Sequence, residues 1–159
     1  MSADQGRLAD FLAFSSTVTG FGAYHLRGTG QLELYLATVD EIVGEDIVGQ
    51  LLDTFSGVRR DAGEDEVAVQ AGLRTQILSD EKLGPVARAL IKLWYVGTWY
   101  ELPVEWRQRY GEDESDRTFV PSAGSYTEGL LWPTIGANPP GAKALGYGSW
   151  AMPPLVDTR

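Results

Sequence analysis

The single histidine, His25, is the first residue to test for chemistry. A Ser-His-acid hydrolase needs an imidazole beside a nucleophilic hydroxyl. His25 lies in a glycine-rich stretch, GFGAYHLRGTG, with no companion motif, and it reads with Tyr24 as a structural turn residue. Carboxylates occur in runs: Asp40-Glu41, Glu45-Asp46, Glu64-Asp65-Glu66 and Glu112-Asp113-Glu114. Glycoside hydrolysis needs two carboxyls across a cleft, one of them in an apolar pocket. These runs fall at helix ends and in loops, where solvated faces and helix N-terminal charge account for them. The acidic run at 112–116 lacks the glycine and the ligand spacing of an EF-hand loop. Gly146-Tyr147-Gly148-Ser149-Trp150-Ala151 matches G-x-G-x-x-A, but a dinucleotide fingerprint needs a strand before it and a helix after it. Pro139-Pro140 precedes the match and Met152-Pro153-Pro154 follows it, so neither context exists. No phosphate loop and no histidine-rich metal pattern occurs, and the sequence presents no catalytic constellation of its own.

Composition narrows the partners. The chain has 159 residues, enough for one domain with a self-sufficient core, and 43% of them are hydrophobic. Its net charge of −9 and the lack of a basic stripe argue against nucleic acid and against anionic membrane surfaces. The count of zero cysteines excludes disulfides, thiolate chemistry and iron–sulfur or zinc–thiolate sites. No apolar run reaches the roughly 18 residues of a membrane span. The start, MSADQGRLADFLAF, lacks the basic opening and apolar stretch of a secretory signal, so the chain reads as cytoplasmic as written.

The elements that would position any site read as helices. Leu8, Phe11, Leu12 and Ser15 follow helical spacing, with Gly20 as a C-cap. Leu32, Tyr35, Leu36, Val39, Ile42 and Val43 fit one helical face, and Gly44 punctuates. Ile47, Val48, Leu51, Leu52 and Phe55 form a further stripe, expected to stop at Gly57 before a polar loop, VRRDAGEDE. Val67 to Leu78 is a weaker helix, and Leu83, Val86, Ala87, Leu90 and Trp94 a strong one running to about Gly97, with Pro85 in its first turn. Beyond residue 110 the character changes. Six of the eight prolines lie at or after Pro121, and only Tyr126 to Trp132 fits a short helix. The expected architecture is all-α: about five helices in a body over residues 1–110, then an acidic loop and a long irregular Pro/Gly/aromatic-rich C-terminal arm over 111–159. Disordered tails are poor in aromatics, so the arm is expected to be ordered by packing on the body, on a partner, or on both.

The aromatics carry the functional question. Three of the five tryptophans fall in the stretch WYVGTWYELPVEW, residues 94–106. Trp94 shares the core face of its helix, and Tyr95 lies about 100° away. Trp99 and Tyr100 follow Gly97 and fit either a lid on the core or a contact with a partner. Trp106 and Tyr110 flank Arg107 and Arg109, which predicts partial exposure. Tyr126, Trp132, Pro139, Pro140, Tyr147 and Trp150 are interface candidates along the arm, with Lys143 positioned to pair with a partner carboxylate. Pro-rich segments lose less entropy on docking.

Five stretches in order, FLAFSSTVTGF (11–21), GTGQLELY (28–35), IKLWYVGTWYELP (91–103), SYTEGLLW (125–132) and NPPGAKALGYGSWAMPP (138–154), resemble the small-subunit family of FAD-dependent sugar and polyol dehydrogenases. The resemblance spans nearly the whole chain. It implies a small helical protein without cofactor, catalytic or metal residues of its own. That protein would bind a large flavoprotein of the glucose–methanol–choline type, which carries FAD and the catalytic groups, and would help it mature. Exported relatives carry a twin-arginine leader. This sequence shows none, so the resemblance implies a cytoplasmic complex, or a periplasmic one if a leader was removed. A transient chaperone differs from this reading only in the lifetime of the complex. The reading of a different class is a stand-alone carbohydrate-binding module or small hydrolase, with an aromatic groove and Glu101, Glu105 or Glu128 as acid or base.

Overall fold

Helical periodicity turns into helices wherever the apolar stripe is longest. In a computed structural model, residues 3–111 and 113–140 are described. Helix α1 spans Ala3–Thr19, and Phe11 and Phe14 on it are fully buried. The His25 stretch, expected as a turn, winds into a short helix α2, Ala23–Gly28, anchored by the buried Leu26. Helix α3, Leu32–Val43, buries the expected stripe from Leu32 to Val43.

Helix α4, Glu45–Ala62, does not stop at Gly57, and the expected polar loop is largely helical. The energetics explain the overrun. One glycine inside a helix costs about 1 kcal/mol relative to alanine. Winding on past Gly57 buries Val58, which is 2% exposed, and full burial of a valine contributes roughly 1.5–3 kcal/mol. The helix ends instead at Gly63, where φ is +59°. Asp65 then caps α5, Glu66–Gly72, by accepting hydrogen bonds from the amides of Val67 and Ala68.

The weaker pattern from Val67 onward has a physical cause: no residue of α5 is buried. The chain then winds on as a π-helical turn, Leu73–Leu78, which buries Leu73 and Ile77. Asp80 accepts from the amides of Lys82 and Leu83 and so starts α6, Leu83–Val96. Helix α6 is the centre of the molecule and packs on α1, α3, α4 and the π-helical turn. It ends at Gly97, which adopts a left-handed conformation with φ +72°.

The remaining described chain runs along α6, with Trp106 reaching Lys82 at its start and Leu130 meeting Trp94 near its end. Trp99 and Phe119 exchange two backbone hydrogen bonds, of 2.9 and 3.0 Å, in an isolated antiparallel bridge. Short helices follow: α7 Val104–Tyr110, α8 Ala123–Thr127 and α9 Leu131–Thr134. The expected short helix from Tyr126 to Trp132 is thus two, parted at Glu128–Leu130. The described residues are all-α, with more short helices than the five expected. A helix of four to seven residues spans two turns at most and leaves no periodicity to read. No helix among the described residues is long and apolar enough to cross a membrane.

Candidate functional site

The aromatic stretch at 94–106 divides between interior and surface by what each ring's polar atom can reach. Trp94 is buried. Its indole Nε1 donates to the Ser15 hydroxyl at 3.0 Å, and its ring meets the edge of Tyr35 with centroids 4.8 Å apart. Tyr95 is partly buried, and its hydroxyl donates to the Thr19 carbonyl at 2.7 Å.

Three interface candidates lie in the interior: Trp99, Trp106 and Pro139. Trp99 is fully buried, and its Nε1 donates to Asp116 Oδ1 at 3.0 Å. Trp106, expected to be partly exposed, is 5% exposed, and its Nε1 donates to the Lys82 carbonyl at 2.8 Å. Neither ring offers a face to a partner in this conformation. The acidic run at 112–116 keeps Asp113 and Glu114 exposed but ends in a residue the sequence does not single out. Asp116 is not a solvated charge but a buried one, accepting from Trp99 Nε1 and from the amide of Leu102 at 3.2 Å. A buried carboxylate needs such donors. Nothing in the local sequence separates it from its exposed neighbours Asp113 and Glu114.

The surface candidates lie close by. Tyr100 is 40% exposed, and the Lys92 ammonium lies 5.6 Å from its ring centre. Tyr126 is 38% exposed and meets Trp132 edge-on at 5.5 Å. Trp132 is half-buried and donates its Nε1 to the Tyr126 carbonyl at 2.8 Å. Pro139 is buried and Pro140 exposed. Lys143, Tyr147 and Trp150, and the G-x-G-x-x-A match, lie outside the described residues.

What positions this surface is a polar latch that sequence reasoning missed. Gln31, just before α3, accepts through Oε1 from the hydroxyls of Ser125 and Ser122 at 3.0 and 3.2 Å, and donates through Nε2 to the Thr29 carbonyl at 3.3 Å. Further along, the Leu130 amide donates to the Trp94 carbonyl at 3.0 Å, and the Leu130 side chain is fully buried. The described part of the expected arm is therefore stitched into the bundle end. Truncation after residue 120 would remove Ser125 and Leu130 from the core. We expect it to lower the melting temperature by at least about 5 °C, since losing a buried leucine costs roughly 2–5 kcal/mol.

Tyr35 lies under the same latch. Burial pushes its hydroxyl above the ordinary tyrosine value of 10.0; the Ser125 hydrogen bond pulls it down, and the negative charge of Glu128 raises it further. The folded chain thus holds the Tyr35 proton to higher pH than the unfolded chain does. That stability is fully present below the unfolded value near 10.0 and is lost as pH rises through the raised folded one. Urea melts between about pH 9 and 11 should show declining stability, with a shallower decline in Tyr35→Phe.

The carboxylates named for acid–base work are dispersed. Glu101 pairs with Arg107 at 2.7 Å, and Glu105 is exposed on α7. Glu128 shares a depression of about 200 Å3 with His25, Trp132 and Asn138. His25 is exposed and rests on the Phe21 ring at 4.9 Å. Among the described residues no three of His, Asp and Glu converge as metal ligands. Compared with known protein families, with curated proteins and with solved structures, the chain matches none.

Proposed function

We propose that this chain is the non-catalytic small subunit of an FAD-dependent sugar or glycoside oxidoreductase of the glucose–methanol–choline type. It binds, stabilises and helps mature the flavoprotein, and the flavin, the base and the substrate pocket belong to the partner. One observation carries the reading. Apart from Tyr24 and Val67, every exposed large hydrophobic side chain among the described residues falls between Val96 and Ile135. Exposed apolar side chains concentrated in the segment that begins where the last long helix ends, beside a core that is already complete, mark a surface that another protein covers. The resemblance of the five ordered stretches names the kind of partner. Tyr100, Tyr126, Trp132 and Pro140 belong to the contact, and the Pro/Gly/aromatic-rich sequence from residue 141 onward extends it.

The test is to isolate the chain from its native host and record the absorbance spectrum of what accompanies it. The expected result is a roughly stoichiometric flavoprotein. Removing residues 141–159 is expected to loosen that complex while leaving the described core intact. A truncated chain that holds the flavoprotein as tightly as the whole one would remove the arm from the interface.

A second reading has its own observation. The depression that gathers His25, Glu128, Trp132 and Asn138 offers an aromatic wall and polar groups of the kind that hold a sugar ring. Under that reading the isolated chain binds or cleaves a glycoside, and Trp132→Ala abolishes the binding. Calorimetric titration of the isolated chain with simple glycosides separates the two readings.

A further inference from the structure

We infer that the depression between α6 and the Tyr100–Pro103 turn is the anchor point of the partner, and that it receives carboxylate side chains set beside apolar ones on a folded protein surface. The inference rests on the subunit reading and locates its interface on α6, away from the arm.

The depression is built from Pro85, Arg88 and Lys92 on one side and Tyr100 and Leu102 on the other, around about 140 Å3. A cavity of about that size holds a benzene-sized group, so a Glu or Asp side chain fits. Its charge runs opposite to that of the chain. Among the described residues the one acid lining it is Glu101, whose carboxylate is already taken by Arg107 at 2.7 Å. Arg88 donates to the Leu78 carbonyl at 2.7 Å, a bond that orients the guanidinium without neutralising it. Lys92 faces the Tyr100 ring at 5.6 Å. Among the described residues no carboxylate lies within ion-pair distance of either cation. Two positive charges without an ion-pair partner among the described residues thus share one hollow in a chain of net charge −9.

The total charge selects among anionic occupants. Duplex nucleic acid and anionic membranes present extended arrays of negative charge, which the remaining surface repels. A protein carrying a few carboxylates in one place meets the two cations without meeting the rest. Apolar side chains share the lining with the cations: Pro85, Leu102 and Pro103. Val96, 39% exposed, follows Lys92 by one turn of α6. Arginine and tyrosine ringed by apolar contacts are the side chains that dominate interface energetics. Both cations are held in place before binding, Arg88 by the Leu78 carbonyl and Lys92 by the Tyr100 ring, so less side-chain entropy is lost on docking.

The experiment uses the complex of the full chain with its flavin-bearing partner, identified by mass spectrometry and flavin absorbance. Zero-length carbodiimide coupling joins amines to carboxylates in direct contact. The expected product links Lys92 to an Asp or Glu of the flavoprotein. Lys92→Glu should weaken the complex at least about tenfold, and Arg88→Glu with Lys92→Glu about a hundredfold, with the loss diminishing as salt is raised. Both positions are exposed, and unchanged melting of Lys92→Glu keeps the comparison clean. Arg74→Glu, which reverses an exposed charge on the π-helical turn, should bind as wild type. Wild-type affinity in Lys92→Glu would overturn the α6 anchor and leave the subunit reading standing. So would cross-links from Lys82 without any from Lys92. Retention of the chain on phosphatidylserine vesicles or duplex DNA, lost in Lys92→Glu, would overturn the protein occupant. Absence of any flavin-bearing partner would overturn the subunit reading, and this inference with it.

Discussion

Replacing Gly97 by alanine is expected to destabilise the fold by about 2–5 kcal/mol. Two costs combine. At φ +72° an alanine gives up roughly 1–2 kcal/mol to backbone sterics. The added Cβ would also run into the Ser125 carbonyl and come within 2.9 Å of the Tyr126 nitrogen. These are backbone atoms of a segment held by the Gln31 latch and the buried Leu130, so they cannot move aside without loosening both. Overpacking of this kind costs about 1–3 kcal/mol. For a chain of this size, the sum corresponds to a fall of roughly 5–15 °C in melting temperature. Gly20→Ala is the matched control. It also ends a helix with a positive φ, of +78°, and its amide donates four residues back as that of Gly97 does, but there is open space around the new Cβ, so only the backbone cost applies. Equal melting temperatures for the two variants would mean that residues 122–130 do not pack against the end of α6.

Asp116→Ala is expected to lower stability by about 2–5 kcal/mol, as measured by urea unfolding followed through tryptophan fluorescence. Two buried donors, Trp99 Nε1 and the Leu102 amide, lose their acceptor. Each unsatisfied buried donor costs roughly 1–3 kcal/mol. Asp116→Asn should remain within about 1 kcal/mol of wild type, because one amide oxygen in the place of Oδ1 still accepts from both. The pair of variants tests hydrogen bonding rather than charge. Should alanine and asparagine behave alike, Asp116 would not be the acceptor that holds Trp99 inside. A loosened Trp99 would also unsettle the neighbouring Tyr100, and so the candidate interface.

Much of the bundle was legible because burial on a long helix repeats every three or four residues. The α3 stripe from Leu32 to Val43 and the α6 stripe from Leu83 to Trp94 each span three turns or more, and both lie inside as expected. The stop after α6 was legible too, since glycine favours the left-handed turn that ends a helix. The overrun of α4 was not. A glycine marks a permitted stop, and whether the chain takes it depends on whether the next residue, here Val58, finds a core to enter. The π-helical turn was not legible either: Leu73 and Ile77 stand four residues apart, a spacing that an α-helix shares, so the wider winding leaves no mark in the pattern.

The candidate site divides along the same line. The sequence alone determined that the chain is helical, that it lacks thiol chemistry and a long apolar span, and that its aromatics concentrate where the last long helix ends. All of these depend on residue type or short-range spacing. Which aromatics face inward was decided only by tertiary structure. A buried indole needs an acceptor for its N–H within about 3 Å. Trp94, Trp99 and Trp106 find theirs 79, 17 and 24 residues away along the chain, at Ser15, Asp116 and Lys82. Tyr100, beside Trp99, remains outside under the Lys92 ammonium. Local pattern sets the direction of a side chain around its own helix. What lies in that direction is set by distant segments, and that is why one acidic residue within a charged run, Asp116, decides where the core stops and the surface begins.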